Sequence, residues 1–280
     1  MKLSKTAAYY RTDDGANLYY EDHGQGRPIF LVHGWSCSTK VWQKNIEELS
    51  RQFRVIALDS RGHGNSSKVL GGHQVPQYAR DVRALIEYLD LRDIVLLGWS
   101  LGGPVVLSYW QQFSKDSRLG GIGLIDSNPF PFSPDDWNNH SLKNYNTASM
   151  AGVFKALTDD PAGFATAFTH RMFKSGKATA EDLAWLPDEL RKTPPWIAIA
   201  IYSDFLTSDY TGVLPTLTIP AIFFAGDSDL FKQGNSQGKY LAGLVPNATF
   251  VPFDDAGHLL FYEQSAKFNA ALVKFVSEAC

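Results

Sequence analysis

A chain of 280 residues, 44% hydrophobic and 20% charged with a formal net charge of −3, is long enough for one large α/β domain or two smaller ones, with a core that needs no staples. No basic excess suggests nucleic acid, no like-charge block suggests a tail or a membrane-surface patch, and no run reaches the ~20 apolar residues that span a bilayer. Cys37 and Cys280 have no metal-ligand spacing and read as free thiols of a reducing compartment. Met1 to Tyr10 lacks the apolar stretch of a signal peptide. The expectation is a soluble cytoplasmic protein with neither nucleic-acid nor membrane partner.

In chain order, "ANLYYEDHG" and "RPIFLVHG" read as two strands joined by a Gly-Gln-Gly turn. "VWQKNIEELSRQ" is helix-like and "FRVIALD" a strand. "VPQYARDVRALIEYLDL" spaces Tyr78, Val82, Leu85, Ile86 and Leu89 along one helical face. "DIVLLGW" is a strand, "PVVLSYWQQF" a helix and "LGGIGLID" a strand. Further on, "IPAIFFAGD", "GKYLAGLVP", "ATFVPFD" and "SAKFNAALVKFVSEA" give strand, helix, strand, helix. Strands alternating with helices imply a mostly parallel sheet covered on both faces, consistent with the continuous apolar runs of the central strands.

From about residue 129 to 214 the alternation stops. "MAGVFKAL", "PAGFATAFTHRMF", "TAEDLAWLPDEL" and "PPWIAIAIYSDFL" are helical pieces, with a capping box at Thr179 and Asp182 and a helix start at Pro194-Pro195. The division expected is a core of residues 1–128 and 215–280 with a helical cap at 129–214. Most of its many aromatics hold the insertion together; some could line a pocket beneath it.

"LLGWSLGG", residues 96–103, puts Ser100 between Gly98 and Gly102 where a buried strand must turn into a helix. Small flanking residues allow that sharp turn, which exposes the hydroxyl at the carboxyl edge of the sheet. The helix N-terminus beside it favours negative charge. Serine needs a base and the base an orienting carboxylate. Of seven histidines, His258 follows "VPFDDAG" just past the last strand; His23, His73, His140 and His170 have no comparable setting. Asp227 and Asp229 in "FFAGDSDLF" and Asp126 in "GLIDSNPF" are all candidate acids, and chain order Ser…Asp…His holds for each. The amides of Leu101 and of Trp35, in "FLVHGWSCS", are the candidate oxyanion donors. His33 in that segment reads as a loop brace.

Together these residues resemble the α/β-hydrolase superfamily over nearly the whole chain. "HGW" follows the third strand, "LDSRGHGNSS" the fourth, "GWSLGG" the fifth, "GDSD" the seventh and "AGH" the eighth. The resemblance implies an eight-stranded sheet with the cap inserted after the sixth strand. It also implies Asp229 as the acid, at the last position of G-x-x-D, although Gln233 stands where the family often has proline. Asp126 is the alternative, because some relatives carry the acid after the sixth strand. "RGHG" at Arg61 to Gly64 resembles a structural loop. Serine at the elbow separates this chain from the dehalogenases and epoxide hydrolases, and aligns it with carboxylesterases and the cofactor-free haloperoxidase or perhydrolase group.

The expected reaction is ester cleavage through an acyl-enzyme, with Ser100 as nucleophile, His258 as base and Asp229 as acid. Activity would then fall as pH drops through roughly 6 to 7. Trp35, Trp99, Phe130 and Leu259 are the expected walls for a small to medium, apolar or aryl-containing substrate. No cofactor or metal is implied, since H-E-x-x-H, Walker and G-x-G-x-x-G patterns are missing. Lactone or carbon–carbon bond hydrolysis would use the same triad. A ligand-binding or signalling protein on the same scaffold is the non-enzymatic alternative. The oligomeric state is open.

Overall fold

The computed structural model describes residues 5–143 and 145–278. Eight strands form one sheet: β1 (Lys5–Arg11), β2 (Asn17–Gly24), β3 (Pro28–Val32), β4 (Arg54–Leu58), β5 (Ile94–Trp99), β6 (Leu119–Ile125), β7 (Ala221–Gly226) and β8 (Ala248–Phe253). Their order across the sheet is β1-β2-β4-β3-β5-β6-β7-β8. β2 is antiparallel to β1 and β4; the pairs from β4 through β8 are parallel. The helices are α1 (Gln43–Leu49), α2 (Val75–Tyr88), α3 (Gly102–Phe113), α4 (Thr147–Asp159), α5 (Pro161–Met172), α6 (Ala180–Leu190), α7 (Pro195–Thr207), α8 (Gly234–Gly243), α9 (Leu260–Glu263) and α10 (Ser265–Glu278).

β5 and β7 are buried at every position, because successive side chains point to opposite faces and both faces are covered. Phe30, Val32, Ile94 and Leu96 pack with α2 and α3 on one face. Ile29, Leu31, Val95 and Leu97 pack with α1 and α10 on the other. The expected strands and helices are present, and two elements were not legible in advance. One is β1, an edge strand whose "KTAAYYR" has no apolar alternation; the other is the single turn α9.

α4 to α7 separate β6 from β7. The Thr179–Asp182 capping box forms reciprocally and Pro195 opens α7. The segment is tied to the rest at defined points: Asp204 Oδ2 accepts the Val75 N–H at 2.8 Å, and the Trp35 indole N–H donates to Ala198 O at 2.9 Å. Cys37 is a buried free thiol whose pKa burial pushes up; Cys280 lies outside the described residues. No described helix is long and apolar enough to cross a membrane.

Candidate active site

β5 lies mid-sheet, flanked by β3 and β6, so three neighbouring strand ends contribute to one place. Beyond each end stands a non-glycine residue in the left-handed region: Ser36 (φ 57), Ser100 (φ 55) and Asp126 (φ 42). Each such residue costs on the order of 1–3 kcal/mol and persists only where its surroundings enforce it. At Ser100 the enforcement is tight packing of the elbow. A Cβ on Gly98 would lie 2.1 Å from Gly102 O, and one on Gly102 would lie 2.4 Å from Val32 O. The Ser100 N–H donates to Ile125 O at 3.0 Å, which ties the elbow to β6.

His258 comes from the loop after β8 and is 2% exposed. Its Nδ1–H donates to Asp126 Oδ2 at 2.6 Å, and Asp126 Oδ1 accepts the Gly226 N–H at 3.0 Å. Burial pushes the Asp126 carboxyl up, while the bonds from His258 and Gly226 pull it back toward the ionised form. The ring lies between Phe231 (centroids 5.2 Å apart, planes at 27°) and Trp99 (5.0 Å). Its orientation is thus fixed by aromatic contact as well as by the carboxylate. With Nδ1 donating, Nε2 keeps a lone pair for a proton.

This geometry corrects the choice of acid. Asp229 is exposed on the turn after β7, which Ser228 Oγ closes by accepting from the Leu230 and Phe231 amides at 3.2 Å each. The carboxylate on His258 is Asp126 instead, buried at the end of β6 where it reaches the ring, while Asp229 points to solvent. Gln233, where the family often has proline, adopts φ 56, which a proline ring could not.

Ser100 and His258 line the same cavity of ≈ 60 Å³. The Ser100 hydroxyl makes no hydrogen bond among the described residues. The amides of Trp35 and Leu101 likewise have no acceptor among the described residues. His33 is buried and fixes the peptide before Trp35: its Nδ1–H donates to Gly34 O at 2.7 Å, and its Nε2 accepts the Ser60 N–H at 3.0 Å. Since the amide is trans and planar, pinning the Gly34 carbonyl aims the Trp35 N–H the other way. Burial holds His33 at a pKa of about 4, hence neutral.

Of the expected substrate walls, only Trp35 lines the cavity. Trp99 is turned into the core below it, with its indole N–H on His258 O at 2.9 Å and its ring against Trp42 and Phe261. Leu259 is buried in the same layer. Phe130 stands outside the cavity, where its N–H closes a turn on Asn128 Oδ1 at 2.8 Å. The residues that do form the walls include Phe164 and Phe168 of α5, Tyr202 of α7, and Leu230 and Phe231. His140 and Arg171 are there too, and sequence reasoning passed over both. His140 reaches the site through a β-bridge to Phe231 across some ninety intervening positions, a pairing no local pattern announces.

After β4 the "RGHG" loop is stitched together by a buried guanidinium. Arg61 is 1% exposed and pairs with Asp81 at 2.6 Å and Asp14 at 2.8 Å. His63 is fully buried, and its Nδ1–H donates to Arg61 O at 3.0 Å.

The sheet order, the strained elbow serine and the buried histidine–carboxylate pair define a hydrolase. The chain belongs to the alpha/beta hydrolase fold family, whose model matches residues 27–265. It is 29% identical over 277 residues to a non-heme chloroperoxidase from Streptomyces lividans, spanning 95% of this chain and 98% of that one. It is 28% identical over 286 residues to the bifunctional esterase/perhydrolase DCH of Acinetobacter calcoaceticus, spanning 96% and 99%. Among solved structures, a thermophilic esterase from Thermogutta terrifontis, with malate bound, is similar at TM-score 0.82 and 27% identity, covering 100% of this chain and 99% of that one. The expected fold and the resemblance to the haloperoxidase-like group both hold.

Proposed function

We propose that the protein is a serine esterase acting on small carboxylic esters, with Ser100 as nucleophile, His258 as base and Asp126 as the carboxylate that orients it. The observation that carries this reading is the buried 2.6 Å bond from His258 to Asp126 beside the cavity that Ser100 lines. His258 Nε2 takes the Ser100 proton as Oγ attacks the ester carbonyl, and the amides of Trp35 and Leu101 receive the oxyanion. His258 then protonates the departing alcohol. Water, deprotonated by the same ring, releases the acid and restores Ser100.

Size favours a short acyl group. Cavities for drug-sized ligands hold roughly 300–1,000 Å³, against ≈ 60 Å³ here. α4 to α7 act as the cap over the site. A panel of p-nitrophenyl esters of rising acyl length, run beside lactones and diketones, tests the reading. Turnover should be greatest for acetate and propionate and should vanish in Ser100→Ala; turnover of lactones or diketones alone would contradict it.

The relatives named chloroperoxidase and esterase/perhydrolase support a second outcome for the same acyl-enzyme. Hydrogen peroxide in place of water would release a peracid, with Ser100 recovering its proton through His258. Peracid formation from acetate esters and peroxide, lost in Ser100→Ala, is the corresponding measurement.

A further inference from the structure

The cavity carries a cation that the ester reaction does not use. Arg171, in the last turn of α5, is half-buried and lines the cavity with Ser100 and His258. Among the described residues it forms no ion pair. Its hydrogen bond is a long one, from Nη2 to Ser141 Oγ at 3.4 Å. Its charge is felt on the cavity wall, at His140 and Tyr202. The end of a helix suits a cation, but that does not supply a partner for a guanidinium on a cavity whose walls include Phe164, Phe168, Tyr202 and Phe231. A guanidinium facing apolar walls is placed to receive an anion that takes its free donors.

His140 adds a second donor. Its Nδ1 accepts the Leu142 N–H at 3.1 Å, so in the neutral ring the proton is on Nε2. Burial, with Arg171 and His258 nearby, holds the ring neutral, at a pKa of about 3. His140 is therefore a lining residue that carries an N–H donor and no charge. A planar fork plus a ring N–H suits a carboxylate, which takes bidentate bonds from arginine.

Resting on the ester reading above, we infer that the substrate carries its own carboxylate, held by Arg171 and His140, a few bonds from the scissile carbonyl. The small cavity makes that acyl group short, as in half-esters of small dicarboxylic acids. Arg171 is then a specificity-determining residue: it contacts the far end of the substrate and leaves the chemistry to Ser100.

The test compares monoethyl succinate with ethyl levulinate, which replaces the carboxylate by a methyl ketone of similar shape, and includes p-nitrophenyl acetate as reference. The wild type should favour the succinate by at least tenfold in kcat/KM, chiefly through KM. Arg171→Gln should lower that preference at least tenfold and Arg171→Lys should restore part of it, with thermal melting confirming that both variants fold. If p-nitrophenyl acetate is cleaved but the succinate has no advantage, or if Arg171→Gln lowers both esters by the same factor, the carboxylate inference fails and the ester reading stands. If p-nitrophenyl acetate is not cleaved and a fluorophosphonate leaves Ser100 unlabelled, the ester reading fails and takes this inference with it.

Discussion

At the carboxyl edge of the sheet, Ser36, Ser100 and Asp126 sit in left-handed backbone on three adjacent strand ends, and Asp126 and His258 are buried and hydrogen-bonded. Across the same cavity, Phe164, Phe168 and Tyr202 stand on ordinary helices and meet Trp35 through ring contacts at 4.7–6.0 Å. One side is fixed by backbone strain and directional bonds, the other by apolar packing that tolerates exchange of similar volumes. Substitutions on the sheet side should therefore act on kcat or on folding. Those on the helical side should act on KM and on choice of substrate.

The largest effect expected is at the carboxylate. Asp126→Asn should lower kcat by about 10⁴, the scale found when an orienting aspartate becomes an amide, whereas Asp229→Asn should change it by less than about threefold. Steady-state kinetics of both variants on one ester decide the matter; a collapse in Asp229→Asn with Asp126→Asn active would break the comparison at its centre. Next in size is the buried guanidinium of the loop after β4. Removing one partner of a buried ion pair costs about 3–5 kcal/mol, so Arg61→Met should lose that much in denaturant unfolding. A loss below about 1 kcal/mol would show that Asp81 finds other partners.

His33 gives a pH-dependent effect of about 3 kcal/mol, since each unit of pKa shift is worth about 1.4 kcal/mol. Its native pKa of about 4 lies below the ordinary 6.5, so the unfolded chain binds the proton first. The stabilisation is complete above pH ~6.5 and is lost as pH falls toward ~4. The stability advantage of wild type over His33→Gln should shrink across that interval, and an advantage independent of pH would contradict the neutral, buried brace. The smallest effect belongs to the helical wall. Phe168→Leu should raise KM by less than about tenfold and leave kcat within about twofold; a large fall in kcat there would mean that the wall also positions the reacting atoms.

The sheet side was largely legible because its signals are local. A strand running into Gly98-Trp99-Ser100-Leu101-Gly102, and His258 just past β8, need only a few neighbouring residues to be recognised. The choice of acid was not local, since Asp126 and Asp229 both follow strand ends, and only the folded position of the His258 ring shows which of them it reaches. The one sign in the sequence was Gln233, standing where the family often has proline after an acid at that place. The helical side was legible as helices but not as a lining. Helical periodicity says which residues are apolar, not which of Trp99, Phe130, Phe168 or Tyr202 will face a cavity made by the approach of a distant segment. Arg171 and His140 were hidden for the same reason, their neighbours being remote along the chain.

The central claim is that the Ser100 hydroxyl, the His258 ring and the Asp126 carboxylate work as one unit beneath the Trp35 and Leu101 amides. A crystal structure of the protein inactivated by a diethyl phosphate ester tests it most directly. The account predicts phosphorus bonded to Ser100 Oγ, a phosphoryl oxygen about 2.7–3.1 Å from both amide nitrogens, and His258 still on Asp126. Phosphorus on another residue, or an adducted Ser100 with that oxygen turned away from both amides, would contradict it.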